Sequence, residues 1–253
     1  MLINSAAQTD VGRVREKNED SHFISNELGL YVVADGMGGH LGGQMASGLA
    51  AQAVADNIKV VFEQLCSGSG IEPIESSPVP KLLADAVRGA CATVFDAAQG
   101  NPELQGMGTT VTTLFINSNR AFIAHVGDSR CYLQRADRII QITDDHSLVN
   151  EQIKAGLITR EQGRQSRLKN IITRSVGFER DVAVDTFALP IQVNDNLLLC
   201  SDGLTNFVDD TEIGLALATL AITEVPSRMI DLANERGGDD NITIICVSLA
   251  EEE

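Results

Sequence analysis

The chain has 253 residues, with 35 acidic against 19 basic side chains and a formal charge of −16. That charge opposes binding to a phosphate backbone, so we expect no nucleic-acid partner. The five cysteines lie singly without a C-x-x-C pair, a pattern typical of reduced thiols. No signal-peptide core and no run of ~18 apolar residues occurs, which predicts a soluble cytoplasmic protein without a membrane partner.

The predicted elements begin with a strand, since the apolar run from Tyr31 to Ala34 stops at Asp35 and a glycine-rich loop follows. Apolar side chains at three- and four-residue steps then predict an amphipathic helix over 44–65. Three prolines indicate an exposed loop over 66–80. A second helical pattern covers 82–94.

The period changes at residue 109. Four short β-branched and aromatic runs, at 109–117, 120–126, 130–134 and 138–143, predict an antiparallel meander. Later strands are predicted at 182–190, 196–200 and 242–249, and helices at 210–218 and 224–235. Residues 147–170 are polar and predicted to be helical, with breaks at two glycines. Strands mixed with pairs of helices favour layered sheets with helices outside.

The glycine loop after Asp35 has several interpretations. A phosphate-cradling G-x-x-x-x-G-K-[ST] loop would need a lysine that is missing, and the third glycine of a dinucleotide fingerprint is replaced by Leu41. Asp35 could instead cap a tight turn between strand and helix. Alternatively, the glycines beside Asp35 could leave room for a ligand or a metal ion to approach the backbone.

The same local pattern recurs at four other places. Carboxylates beside a glycine or a turn occur in KNED (Glu19, Asp20), VGDSR (Asp128), CSDGL (Asp202) and GGDDN (Asp240). Dispersed, each is an ordinary turn residue; together, they would repel one another without a counter-charge. Oxygen ligands without cysteine or paired histidine favour Mg²⁺ or Mn²⁺ over zinc. Two such ions about 3.5 to 4 Å apart would orient a shared water for in-line attack on a phosphoryl group.

The order of the motifs adds a family resemblance. Almost end to end, the chain resembles bacterial members of the PPM family of metal-dependent serine/threonine protein phosphatases (type 2C). Seven motifs occur in the same order as in that family: GRVREKNED, VVADGMGGH, GMGTT, VGDSR, DDHS, LLCSDGL and GGDDNIT. The resemblance implies an α+β, four-layer αββα sandwich, in which two antiparallel sheets pack face to face with helices outside. It implies one phosphatase domain over 1–250, an acidic tail at 251–253, and a flap at 147–170 beside the metal cleft.

The resemblance also implies roles for individual residues. Asp35 would bridge two Mn²⁺ or Mg²⁺ ions, with the Gly36 carbonyl as a further ligand. The other implied metal positions are Asp202 and Asp240 at the first ion, Asp128 with Asp202 at a weaker third ion, and Glu19 and Asp20 acting mainly through water. Arg15 would bind the substrate phosphate, for which a guanidinium fork is suited.

The proton donor to the leaving group is less defined. Eukaryotic members place a histidine directly after Asp-Gly, where this chain has Met37. His40, three residues on, is a candidate, and a metal-bound water or a purely structural role for His40 are the alternatives. His125, in an apolar strand, is predicted to be a hydrogen-bonded core residue, and Arg130 to hold the GDSR turn.

The function implied is hydrolysis of phosphoserine and phosphothreonine in proteins by a metal-bridging water, with the targets of a cognate kinase as partners. One alternative is a catalytically silent relative that binds phosphoproteins or partners, and another is a phosphatase of small phosphate esters. The flap carries a basic cluster at Arg160, Arg164, Arg167 and Lys169. This cluster could attract a phosphorylated peptide or merely offset neighbouring acids.

Overall fold

The computed structural model describes residues 1–38, 41–66 and 77–251. Its elements in chain order are β1 (Leu2–Asp10), β2 (Asp20–Ser25), β3 (Leu30–Met37), α1 (Gly42–Cys66), α2 (Val79–Gln99), a short 3-10 helix (Pro102–Leu104), β4 (Gly108–Thr109), β5 (Val111–Asn117), β6 (Arg120–Val126), β7 (Arg130–Arg135), β8 (Arg138–Gln141), α3 (Leu148–Lys154), α4 (Arg160–Arg164), β9 (Asp185–Pro190), β10 (Asn196–Cys200), α5 (Asp202–Thr205), α6 (Asp210–Thr219), α7 (Val225–Glu235) and β11 (Ile242–Ala250).

The strands form two antiparallel sheets. One has the order β1-β11-β10-β7-β8, and the other has the order β2-β3-β5-β6-β9 with the two-residue β4 paired to β3. Helices α1 and α2 pack on the outer face of the second sheet, and α5 to α7 pack on the outer face of the first. The α+β architecture with two packed antiparallel sheets and helices outside is confirmed.

Strand β3 shows why its sequence is apolar without alternation. Leu30 and Val32 belong to the core between sheet and helices, together with Val54 of α1. Tyr31 belongs to the core between the two sheets, together with Leu199. Successive side chains of a strand point to opposite faces, so a strand covered on both faces must be apolar at every position.

Two expectations about the strands are wrong. The four runs after residue 109 do not form one meander, because β5 and β6 lie in one sheet and β7 and β8 in the other. The chain changes sheet at Gly127, whose φ of +111° is unfavourable for other residues. The strand before the glycine loop also continues through Asp35 to Met37, because Gly36 and Met37 pair with β4.

The N-terminal strands β1 and β2 were not predicted. Strand β1 pairs with β11 along all nine residues, from Leu2 opposite Ala250 to Asp10 opposite Ile242. It lies at the edge of its sheet and is largely accessible, so its sequence lacks an apolar run. The helices predicted over 44–65, 82–94, 210–218 and 224–235 are confirmed. None of the helices in the described ranges has the length and apolarity needed to cross a bilayer.

Candidate metal centre

The predicted acidic residues lie where strands from both sheets meet at one end of the sandwich. Asp20 begins β2 and stands opposite Asp35 near the end of the antiparallel β3. Asp128 follows β6, Asp202 follows β10, and Asp240 precedes β11. Antiparallel neighbours bring the end of one strand beside the start of the next. The other four aspartates all act on the charge of Asp35, so residues far apart in sequence form one acidic cluster.

The backbone of Asp35 is held by two threonines. Thr109 Oγ1 donates to the Asp35 carbonyl at 2.8 Å, and Asp35 N donates to Thr110 Oγ1 at 2.9 Å. Gly36 follows in a tight space, because a Cβ there would overlap the carbonyl oxygens of Gly43 and Glu19. This packing requires glycine beside Asp35 and fixes where the carboxylate leaves the strand.

Burial and mutual repulsion raise the pKa values of these carboxyl groups. Burial raises the pKa of Asp20 to about 7 and that of Asp202 to about 6, and neighbouring carboxylates add to both shifts. Burial also raises the pKa values of Asp35 and Asp128 well above the ordinary range, with Asp202 contributing to each. Each raised pKa means that the protein by itself does not supply enough positive charge or hydrogen bonding to stabilise the ionised carboxylate.

Three oxygen atoms of the cluster show how a cation would fit. Asp20 Oδ1, Asp128 Oδ1 and Asp202 Oδ1 are buried and have no hydrogen-bond partner among the described residues. Buried charge without a partner is costly, and a bound cation removes that cost. The donors are all oxygen, as Mg²⁺ and Mn²⁺ prefer.

The cluster by itself does not enclose an ion. Within residues 1–38, 41–66 and 77–251, no three His, Cys, Asp or Glu side chains are arranged to hold one. Mg²⁺ usually keeps several waters and takes only one or two carboxylates, so this open arrangement suits hydrated ions. Water would therefore supply much of the coordination.

Arg15 and Glu19 lie on the loop that joins β1 to β2. Arg15 Nη2 donates to Asp240 Oδ2 at 2.7 Å, and the arginine side chain is 51% exposed. Glu19 Oε2 would lie 2.6 Å from a Cβ at Gly43, so this carboxylate packs against the start of α1. The positive end of the α1 dipole favours a negative group there. The structure thus brings both predicted residues to the acidic cluster.

Hydrogen bonds from polar side chains hold the GDSR turn in place, as predicted for Arg130. The Nε and Nη2 atoms of Arg130 donate to the Asp145 carboxylate at 2.7 to 3.0 Å. Gly127 N donates to His146 Nδ1 at 3.0 Å.

His125 is fully buried, with Nδ1 2.9 Å from Thr112 Oγ1, and burial lowers its pKa to about 3. His125 is therefore a neutral core residue, as expected. His40 lies outside the described residues, and its role stays a prediction.

Two asparagines at the site were missed in the sequence. Asn206 Nδ2 donates to Asp202 Oδ2 at 3.2 Å, and Lys169 Nζ of the flap donates to Asn206 Oδ1 at 3.0 Å. Asn206 thereby connects the flap to the acidic cluster. The only signal in the sequence was its position four residues after Asp202, one helical turn away.

Asn241 was missed although it lies inside the GGDDNIT motif. Its Oδ1 accepts from Glu19 N at 2.8 Å, and its Nδ2 donates to the carbonyls of Val11 and Lys17 at 2.9 Å each. This one buried side chain fastens the loop that carries Arg15 and Glu19 to the start of β11. An asparagine after the paired aspartates offers both a donor and an acceptor, which aspartate does not.

We expect Asn241→Ala to lower the free energy of unfolding by about 2 to 4 kcal/mol, because three buried hydrogen bonds are lost. It should also weaken any activity that needs Arg15, since the loop loses its anchor. Chemical denaturation gives the first value. Asn234→Ala is the control, because Asn234 is similarly buried but, among the described residues, its side chain donates one bond, to Asp10, and its Oδ1 has no partner. An equal loss in both variants would contradict the anchoring role.

Comparison with known proteins identifies the family. A model of the family described as protein phosphatase 2C matches residues 12–237. The serine/threonine phosphatase stp of Listeria welshimeri is 38% identical over 249 residues, 97% of this chain and 95% of that protein. The protein phosphatase PhpP of Streptococcus pneumoniae is 36% identical over 255 residues, 97% of each.

Solved structures agree with these sequence matches. The serine/threonine phosphatase PstP/Ppp of Mycobacterium tuberculosis superposes with a TM-score of 0.88 at 33% identity, over 99% of this chain and 100% of that one. The catalytic domain of PstP in complex with two manganese ions gives a TM-score of 0.83 at 33% identity, over 98% and 99%. Because these matches extend over nearly the whole sequence, this chain belongs to the protein phosphatase 2C family.

Proposed function

We propose that this chain, a metal-dependent serine/threonine protein phosphatase, carries out hydrolysis at the acidic cluster of Asp20, Asp35, Asp128, Asp202 and Asp240. The observation that carries this assignment is the set of three buried, unpaired carboxylate oxygens where the two sheets meet. A binding module has no need to bury uncompensated charge in this way, which argues against a catalytically silent relative. The near full-length phosphatase relatives support the same reading.

Each side chain would act through its position. Asp35, Asp202 and Asp240 would hold the cations, with the Gly36 carbonyl as a further ligand, while Glu19 and Asp20 would act mainly through water. Thr109 and Thr110 keep Asp35 in place through its backbone. When bound, divalent cations polarise phosphoryl oxygens and lower the pKa of water, which makes hydrolysis possible at neutral pH without a covalent intermediate.

We assign Mn²⁺ or Mg²⁺ to the cluster because its donors are all oxygen, and the PstP structure with two manganese ions supports that choice. We assign Asp128 and Asp202 to a third, weaker ion. Their buried charges repel each other, and each has an unpaired Oδ1.

The substrates are phosphoproteins, and chemistry limits where their phosphate comes from. Phosphoserine and phosphothreonine are made by protein kinases, so we infer that a serine/threonine kinase supplies the substrates. We also infer a reducing compartment, the cytoplasm, because Cys91, Cys131, Cys200 and Cys246 are free thiols.

Phosphate release tests the proposal directly. The purified chain, supplied with Mn²⁺ or Mg²⁺, should release phosphate from phosphothreonine and phosphoserine peptides, and a chelator should stop the reaction. Small aryl phosphates should be poorer substrates by kcat/KM than the peptides. Binding of phosphopeptides without any release would establish the silent alternative, and a preference for the small esters would establish the other one.

Arg15→Ala should raise KM more than it lowers kcat. A phosphate contact that is equally strong in the ground and transition states changes binding but not the chemical step. The guanidinium is half exposed beside Asp240, where an incoming phosphate can meet it. Arg13→Ala is the control, because Arg13 lies on the same loop but has no side-chain ion pair to the cluster among the described residues. Equal kinetics for wild type and Arg15→Ala would remove Arg15 from the site.

A further inference from the structure

A cavity of about 510 Å³ lies between the flap and the acidic cluster. Asp128 and Asp202 line it at the catalytic end, and Arg160, Arg164 and Lys169 of the flap line another part. Its volume is within the usual range for ligand pockets, about 300 to 1,000 Å³. A phosphoprotein whose phosphate reaches the acidic cluster has neighbouring residues within reach of this space, since an extended chain advances about 3.3 Å per residue.

The acidic side chains that line this flap cavity away from the acidic cluster are already engaged. Asp145 accepts from Arg130, and Asp144 forms an ion pair with Lys154 at 3.2 Å. Asp209 caps α6 by accepting from Glu212 N. Asp210 accepts from the Tyr132 hydroxyl at 3.0 Å. Because these carboxylates already have partners within the protein, this part of the cavity is not suited to a cationic ligand.

Two arginines of the cavity are different. Arg160 and Arg164 are exposed, and across the described ranges neither side chain has a hydrogen bond or an ion pair. They stand four residues apart in α4, so they share one face of that helix. Lys169, the third basic residue, already donates to Asn206. Arg160 and Arg164 are therefore not held in direct ion pairs with acids of the described residues, so their guanidinium groups are open to a ligand.

The position of α4 is set by close packing. Gly163 is buried, and a Cβ there would lie 2.8 Å from Val149 Cγ1 and 2.9 Å from Ile153 Cδ1 of α3. Thr159 and Gln162 form a capping box at the start of α4. The two arginines are thus carried on a helical turn that is fastened to its neighbour.

We propose that the flap cavity binds a second acidic group of the substrate, a carboxylate or another phosphate, located a few residues from the phosphoserine or phosphothreonine. Arg160 and Arg164 bind this group, since guanidinium groups pair with both kinds of anion through two parallel hydrogen bonds. This inference rests on the proposed phosphatase activity and deepens it. It predicts that the enzyme selects acidic or doubly phosphorylated segments in spite of its own negative charge.

Matched phosphopeptides test the inference. Each contains one phosphothreonine among neutral residues, and the variants place a glutamate or a second phosphothreonine one to four residues away on either side. For at least one position, kcat/KM should rise by about 5- to 10-fold, mainly through KM, which is the order of two partly exposed ion pairs. The glutamate and phosphothreonine arms tell whether carboxylate, phosphate or both are bound.

Variants then assign the effect to the two arginines. The double variant Arg160→Gln/Arg164→Gln should lower kcat/KM for the acidic peptides to that for the neutral peptide, which itself should change by less than about twofold. Arg167→Gln is the matched control, because Arg167 lies on the same exposed segment but does not line the cavity. It should retain the preference. The double variant Arg160→Glu/Arg164→Glu should prefer lysine-flanked peptides.

The possible failures can be told apart. Equal kcat/KM for neutral and acidic peptides in the wild type overturns the inference and leaves the phosphatase function intact. The same holds if the glutamine variant loses activity equally on both peptides, or if Arg167→Gln abolishes the preference. No release from any peptide in the presence of Mn²⁺ overturns the proposed function, and the inference with it.

Discussion

Replacing Asp202 by asparagine should lower kcat/KM for a phosphothreonine peptide by about 10³-fold, equivalent to about 4 kcal/mol of transition-state stabilisation. Asp202 is half-buried, its Oδ1 is buried without a hydrogen-bond partner among the described residues, and its Oδ2 accepts from Asn206. Asparagine keeps the size of the side chain but removes the charge that a cation requires. Phosphate release at saturating Mn²⁺, followed over a range of peptide concentrations, measures the change.

Asp137→Asn is the control for this variant, because it makes the same chemical change at an exposed turn. Asp137 follows β7, whose six residues lead away from the GDSR turn by about 20 Å at 3.3 Å per residue. Its activity should equal that of the wild type. If Asp202→Asn kept wild-type kinetics, the acidic cluster would not be the catalytic centre.

Mn²⁺ should raise the melting temperature of the wild-type chain by about 5 to 10 °C over that in a chelator. A ligand that binds only the folded state stabilises it by about 2.7 kcal/mol at a hundred times its Kd. For a domain of this size, each kcal/mol changes the melting temperature by about 2 to 4 °C. We expect Mn²⁺ to bind and stabilise the folded state because a cation offsets the repulsion within the acidic cluster. Thermal unfolding with Mn²⁺ and with chelator measures the shift.

Asp35→Asn provides the matched test of that explanation. In chelator this variant should melt at or above the wild-type temperature, because one of five mutually repelling carboxylate charges has been removed. With Mn²⁺ it should show a much smaller increase. A wild-type melting temperature that is the same in both conditions would contradict a shared cation site, and so would an undiminished increase in Asp35→Asn.

Most of the fold could be predicted because its signals are local. The spacing of Leu49, Val54 and Ile58 predicts α1, and the unbroken apolar run of β3 predicts a strand covered on both faces. The sheet to which a strand belongs is not a local property. Strands β6 and β7 are separated by a three-residue turn, yet they lie in different sheets because the chain crosses at Gly127. Strand β1 escaped prediction because its pairing with β11 joins the two ends of the chain.

The candidate site divides in the same way. The positions of Asp35, Asp128 and Asp202 could be predicted because each carboxylate stands beside a glycine at the end of an apolar run. Asp240 could be predicted because it follows a glycine pair and precedes the last apolar run. The asparagines that position the site, Asn241 and Asn206, could not be predicted, because no distinctive sequence pattern surrounds them. Their importance comes from hydrogen bonds to the loop before β2 and to the flap.

By itself, the sequence determined the layered α+β class, the candidate acidic residues and the oxygen chemistry that suits a hard divalent cation, since these depend on residue type and short spacing. Only the tertiary structure decided that the five aspartates meet, that Arg15 reaches Asp240, and that Arg160 and Arg164 line a cavity without side-chain partners among the described residues. The physical reason is that antiparallel pairing and sheet packing bring together groups that are far apart along the chain, such as Arg15 and Asp240, which are 225 residues apart.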